Sequence, residues 1–201
     1  MAGAPRTVGI YVYDEVEVLD FAGPFEVFSV AARLALRTAP TEPPPFSVVT
    51  ISRTGQPIAA RGGLVVVPAC AIDAHPGLDL LIVPGGVVDG ELRTDVIEWI
   101  SRQAGRAEIV ASVCTGAFLL AAAGLLRGLR ATTHWEDAAD LAARHPETAV
   151  IEDVGWVDEG RIVTSAGISA GIDMSLYLVE RLLGRPAAER TARQMEYRRR
   201  P

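Results

Sequence analysis

The sequence predicts an α/β fold: an open, mostly parallel sheet with helices on both faces. Three observations carry this. Short apolar runs rich in β-branched residues alternate with longer runs of helical period along most of the chain. Two of the short runs, residues 79–83 and 109–113, are almost continuously apolar, the pattern of strands covered on both sides. No internal repeat or low-complexity linker divides the chain, and its 201 residues, 49% of them hydrophobic, suffice for a single domain over residues 1–201 with a sizeable core.

Residues 7–13 form a β-rich run, the first strand. A helix is expected over 24–36, because Pro24 suits a first helical turn and Phe25, Val27, Phe28, Val30 and Leu34 supply its apolar positions. A proline-rich loop at 38–45 leads to a second strand, 46–52, and a third is expected at 63–67. The apolar strand 79–83 ends in Pro84-Gly85-Gly86, and a helix follows over 94–103 with Thr94 as its N-cap. Strand 109–113 runs straight into Cys114-Thr115-Gly116 and an Ala/Leu-rich helix to about residue 127. Thr132-Thr133 leads to His134 and a helix to about residue 143. Asp158-Glu159-Gly160 between two β-rich segments predicts a hairpin, and helices starting near 169–171 and at 186 complete the chain. In open parallel sheets, sites form beyond the carboxyl ends of the strands, which selects the loops after Tyr13, Val83 and Val113.

Composition removes several functions. The net charge is −6, so nucleic-acid binding by this chain alone is not expected; that affinity rests on Lys and Arg at phosphates. The Arg198-Arg199-Arg200 run reads as a solvated tail. All nineteen basic residues are arginine, so neither a Schiff-base lysine nor a P-loop lysine exists. The two cysteines, Cys70 and Cys114, form no metal pair, and His75, His134 and His145 have no tight ligand spacing, so no metal or other cofactor is expected. With no signal segment and no stretch of about 18 apolar residues, the protein is read as cytoplasmic, with reduced thiols and no membrane association.

The strongest local signal is Ser112-Val113-Cys114-Thr115-Gly116. An apolar strand enters a helix with a cysteine at the junction, and the residues two before and two after it are small. A nucleophile elbow requires this, because its sharp turn has no room for larger neighbours. A thiol at a helix N-terminus meets free N–H groups and the positive end of the dipole, both of which favour the thiolate. Cys70 has no such setting and reads as a small buried side chain.

Asp20, between Leu19 and Phe21, has two open readings: a helix cap, or a carboxyl group beside the thiol that gives and takes a proton, with a pKa raised by desolvation. Asp14, Glu15 and Glu17 look like a solvated edge. The bare turn Pro84-Gly85-Gly86 offers backbone N–H groups that, with that of Thr115, would face a developing anion. His134 either orients a group near the thiol or caps a helix. His145-Pro146-Glu147 imitates an amidotransferase His-x-Glu pair, but it follows the cysteine too closely and reads as a helix stop.

Leu19-Asp20-Phe21-Ala22-Gly23-Pro24, Val83-Pro84-Gly85-Gly86, Ser112-Val113-Cys114-Thr115-Gly116-Ala117, Thr132-Thr133-His134-Trp135 and the segment from Ser165 to Asp173 together resemble the ThiJ/PfpI superfamily, and more narrowly its isonitrile hydratase branch. The resemblance spans residues 7–183. It implies a flavodoxin-like three-layer sandwich, usually a homodimer, acting on a small molecule without a cofactor. It implies that Cys114 is the nucleophile, Asp20 the acid/base and Thr115 a further functional residue, with Gly86 as a backbone donor near the thiol. Many members carry glutamate where Asp20 stands, so aspartate favours the hydratase branch. His134 matches a histidine near the thiol in some members, and Gly85 and Ile168 are site neighbours. The implied reaction is hydration of an isonitrile to an N-substituted formamide.

The same style of sequence occurs as the sensory domain of AraC-type transcription regulators, which continue into a DNA-binding domain. If this chain is the full gene product, that half is missing. Other cysteine chemistry on the same site, such as amidase, glyoxalase-like or oxidative-stress sensing activity, is a further alternative.

Overall fold

The computed structural model describes residues 4–199. Its strands are β1 (Arg6–Tyr11), β2 (Phe46–Ser52), β3 (Ile58–Ala59), β4 (Val65–Val66), β5 (Cys70–Ala71), β6 (Leu80–Val83), β7 (Ile109–Val113), β8 (Arg130–Ala131), β9 (Ala149–Val150), β10 (Trp156–Glu159) and β11 (Ile162–Ser165). Its helices are α1 (Val18–Thr38), α2 (Thr94–Ala104), α3 (Gly116–Ala122), α4 (Ala138–Arg144), α5 (Ala170–Leu183) and α6 (Arg185–Gln194).

Seven strands form one sheet in the order β10-β11-β7-β6-β1-β2-β5, parallel throughout except for the β10–β11 hairpin. β6 and β7 are buried at every residue, as strands covered on both faces must be. α1, α5 and α6 pack together, and α2 packs on α3, completing a three-layer flavodoxin-like α/β sandwich. Gly23 lets α1 close on α5: a Cβ there would lie 2.9 Å from Ile172 Cγ1.

The order of elements follows the sequence reading, and the departures have physical causes. α1 begins at Val18, so Pro24 lies inside it and has no N–H to donate to the Asp20 carbonyl one turn back. Arg93, with extended backbone, holds the N-cap position of α2, and Thr94 is its first helical residue. α3 stops at Ala122, because Gly124 turns left-handed at φ +75°. The strand expected at 63–67 is reduced to β4, paired with β3 outside the main sheet. Val65 and Val67 in that run are 66% and 71% exposed, and only Val66 packs against the core, too little burial to hold a full strand there. The sheet edge goes instead to β5, which leaves Cys70 half-buried.

Candidate active site

The carboxyl ends of β1, β6, β7 and β11 lie side by side, and each loop beyond them supplies part of one site. After β7 the chain turns sharply at Cys114, whose φ of +56° is left-handed and strained for a residue with a side chain. The turn is held by the tertiary structure. The Cys114 N–H points at the Ser165 and Ala166 carbonyls at 3.2 and 3.3 Å, and Thr133 Oγ1 donates to the Cys114 carbonyl at 2.8 Å. The small residue after the elbow is obligatory, since a Cβ on Gly116 would lie 2.1 Å from the Val83 carbonyl oxygen.

Asp20 lies in the first turn of α1 and is fully buried. It does not cap the helix: Oδ2 accepts the Gly85 N–H at 3.0 Å, and Oδ1 is buried without a hydrogen-bond partner. Burial raises its pKa to about 7, against the Gly85 N–H and a smaller contribution from the Cys114 thiol; Glu17 adds to the rise. The expected elevation by desolvation is therefore present.

The thiol behaves differently from the expectation. Burial first and the charge of Asp20 second push Cys114 up to about 12, outweighing donation from the Thr115 and Ile168 backbone and the Thr115 hydroxyl. The favourable helix end is present, but a side chain only 7% exposed and facing a carboxylate loses more in hydration than it regains.

The glycine turn is also used differently. The Gly86 N–H, expected to face an anion, donates to Thr115 Oγ1 at 2.9 Å, and that hydroxyl lies 3.0 Å from the Gly86 carbonyl. The Gly85 N–H goes to Asp20. The turn thus fixes the acid and the threonine; Thr115 and Ile168 present the N–H groups nearest the sulfur. Ile168, with φ +50°, is part of this arrangement through its backbone.

Glu17, Arg61, Cys114, Thr115, His134 and Ile168 line a cleft of about 250 Å³. Glu17 is no free solvated edge: it pairs with Arg61 at 3.6 Å, and Asp14 accepts the Ala59 N–H at 2.8 Å. The sequence reading gave no site role to Arg61 or Thr133. An Arg-Gly-Gly turn after a short apolar pair was the only local sign of the first, and the second stood only within the Thr132-Thr133-His134-Trp135 segment that carries the resemblance. His134 caps the short helical turn after it, its Nδ1 accepting the Glu136 N–H at 3.4 Å, and it also lines the cleft. Gly167 makes room for it, since a Cβ there would lie 2.2 Å from His134 Cδ2. A neighbouring cavity of about 530 Å³, bounded by Trp135, Val154 and Trp156, shares His134 and Ile168 with the cleft. A depression of about 540 Å³ over α1 and β2 contains neither the thiol nor the acid. His145 ends α4, as read from the sequence. Among the described residues, no cluster of three or more His, Cys, Asp or Glu side chains is arranged to hold a metal ion, and no helix is long and apolar enough to cross a membrane.

The chain is 35% identical over 192 residues to an isonitrile hydratase of Pseudomonas putida, covering 94% of this chain and 78% of that protein. It is 29% identical to the HTH-type transcriptional regulator GbdR of Pseudomonas aeruginosa, covering 97% of this chain but only 52% of the regulator. A ThiJ/PfpI family protein from Pseudomonas syringae superposes with a TM-score of 0.84 at 28% identity, covering 100% of this chain and 78% of that one. The model of the DJ-1/PfpI family matches residues 6–181. With that match running from β1 into α5, the chain belongs to the DJ-1/PfpI family.

Proposed function

We propose that the protein hydrates an isonitrile to an N-substituted formamide, with Cys114 as nucleophile and Asp20 as proton carrier. The observation that carries this reading is the buried Asp20–Cys114 pair, in which burial raises the pKa of both groups and so favours their protonated forms. Attack on an amide or ester calls for a thiolate. The terminal carbon of an isonitrile must instead gain both a proton and a nucleophile, and a neutral thiol beside a carboxyl group supplies both.

In the first step the S–H bond breaks, its proton passes by way of Asp20 to the isonitrile carbon, and the sulfur bonds to that same carbon, giving a thioimidate. Asp20, ionised once it has passed the thiol's proton on, takes a proton from water as hydroxide adds to that carbon, and hands that proton to the nitrogen. The C–S bond then breaks as the new hydroxyl group becomes the formamide carbonyl, its proton passes by way of Asp20 to the departing sulfur, and the formamide leaves. Thr115 holds the Gly86 turn through its hydroxyl and supplies an N–H to the departing sulfur. The 35% identity to an isonitrile hydratase supports the reading. No step calls for a metal or an organic cofactor.

The test is formamide production from cyclohexyl isocyanide by the wild type, Cys114→Ala and Asp20→Asn. Turnover by the wild type that both substitutions abolish supports the proposal. Full activity in Cys114→Ala overturns it.

A second reading is a ligand-sensing domain, favoured by the coverage of nearly this whole chain by half of a transcription regulator. Ligand binding without turnover, together with a DNA-binding segment encoded in frame, would favour sensing.

A further inference from the structure

Tyr13 follows β1 and is 2% exposed, and its hydroxyl donates to the Pro84 carbonyl at 3.1 Å. The same peptide group presents the Gly85 N–H, which donates to Asp20 Oδ2 at 3.0 Å. One planar amide thus joins two hydrogen bonds in series, from phenol to carbonyl and from N–H to carboxylate. A donor on the amide oxygen fixes the peptide plane and draws charge from the nitrogen. The N–H on the far side becomes a stronger donor, an effect that grows where water is excluded.

We infer that Tyr13 is a positioning residue for Asp20, acting through the Pro84–Gly85 peptide bond to aim and strengthen the N–H that holds the carboxylate. Tyr13 acts on the acid at one remove, so it is not itself catalytic. Burial, and after it the charges of Asp20, Glu91 and Cys114, push the phenol well above its ordinary range, which keeps it a donor. The titratable groups acting on Asp20 are Glu17, at the N-cap position of α1, and Cys114 across the site, both acids. The Gly85 N–H is therefore the largest influence drawing its pKa down, and Tyr13 is placed to modulate it. The inference concerns the acid–thiol pair and holds whatever substrate that pair serves.

The direct measurement is the carboxyl ¹³C titration of Asp20, assigned with Asp20→Asn, in the wild type and in Tyr13→Phe. The expected result is an upward shift of the midpoint by on the order of half a unit, the size of one weakened hydrogen bond. Tyr11→Phe serves as a control. Tyr11 stacks on Tyr13 with ring centroids 5.6 Å apart, and its hydroxyl bonds Glu91 and not the turn. It should leave the Asp20 midpoint in place. If Tyr13→Phe does not fold, 3-fluorotyrosine placed at position 13 provides a stronger donor and should move the midpoint down. Superimposable titrations in either experiment overturn the inference. Iodoacetamide alkylation of Cys114 against pH provides a second readout, because the charge of Asp20 acts on the thiol. None of these measurements uses an isonitrile, so failure of the hydratase reading and failure of this one are separable.

Discussion

Asp20 lies buried beside Cys114, and its carboxylate adds to the desolvation that already raises the thiol's pKa. Removing the charge while keeping the shape should release the thiol. In Asp20→Asn the Cys114 pKa is expected to fall below about 12, and alkylation by iodoacetamide at pH 8–9 to accelerate. Each unit of fall multiplies the thiolate fraction by about 10. The same variant should lose isonitrile turnover, so thiol reactivity and catalysis move in opposite directions.

The acid imposes a cost on the fold that depends on pH. Burial holds the Asp20 pKa at about 7, so the folded protein binds this proton more tightly than the unfolded chain does. Its contribution to stability is present below the ordinary carboxylate range and is lost as pH rises toward and through 7. The full loss is on the order of 4 kcal/mol. Asp20→Asn should therefore gain more stability over the wild type at pH 8 than at pH 5, as read by urea unfolding. An equal gain at both pH values would refute the assigned shift.

Gly85→Ala tests how closely the turn is fitted. A Cβ there would lie 2.6 Å from both the Thr115 nitrogen and Oγ1, and 2.9 Å from Asp20 Oδ2. The expected result is a folded protein with at least tenfold lower kcat/KM, equivalent to about 1.4 kcal/mol or more of lost transition-state stabilisation. Gly90→Ala, with nothing within 4 Å of its Cβ, should leave kcat/KM unchanged.

Gly116→Ala should harm the fold itself. Its Cβ would meet the Val83 carbonyl oxygen at 2.1 Å, backbone against backbone, with no flexible side chain to yield. A loss of roughly 3 kcal/mol or more by thermal or chemical unfolding is expected, in the range of overpacked cores.

Thr115 separates hydroxyl from shape. Thr115→Val removes the oxygen that accepts the Gly86 N–H and should lower kcat at least tenfold, whereas Thr115→Ser should retain most of it. A larger loss in Thr115→Ser than in Thr115→Val would place the role of Thr115 in its methyl group.

The elbow was legible because its requirements are local. A strand, a cysteine, a helix and small residues at fixed spacing all lie within residues 112–116, and steric exclusion at Gly116 leaves the same mark in any such turn. The alternation of apolar runs likewise fixed the layered sheet, because a strand buried on both faces must be apolar throughout. Strand 63–67 failed for the complementary reason: Val66 packs against the core, but Val65 and Val67 find no place in it.

By itself, the sequence determined the α/β architecture, the elbow cysteine and Asp20 as a candidate acid. Each depends on residue type and near spacing, which the chain carries wherever it folds. Only the tertiary structure decided what those groups are chemically. The thiol's pKa is raised because the core and then Asp20 surround it, and the Gly86 N–H is engaged because Thr115 reaches it. Arg61 enters the cleft on a separate hairpin, and Tyr13 meets Asp20 through a peptide bond of another loop. Protonation and hydrogen-bond partnership depend on burial and on groups distant in the chain, and the proximity that sets them exists only once the four strand ends converge.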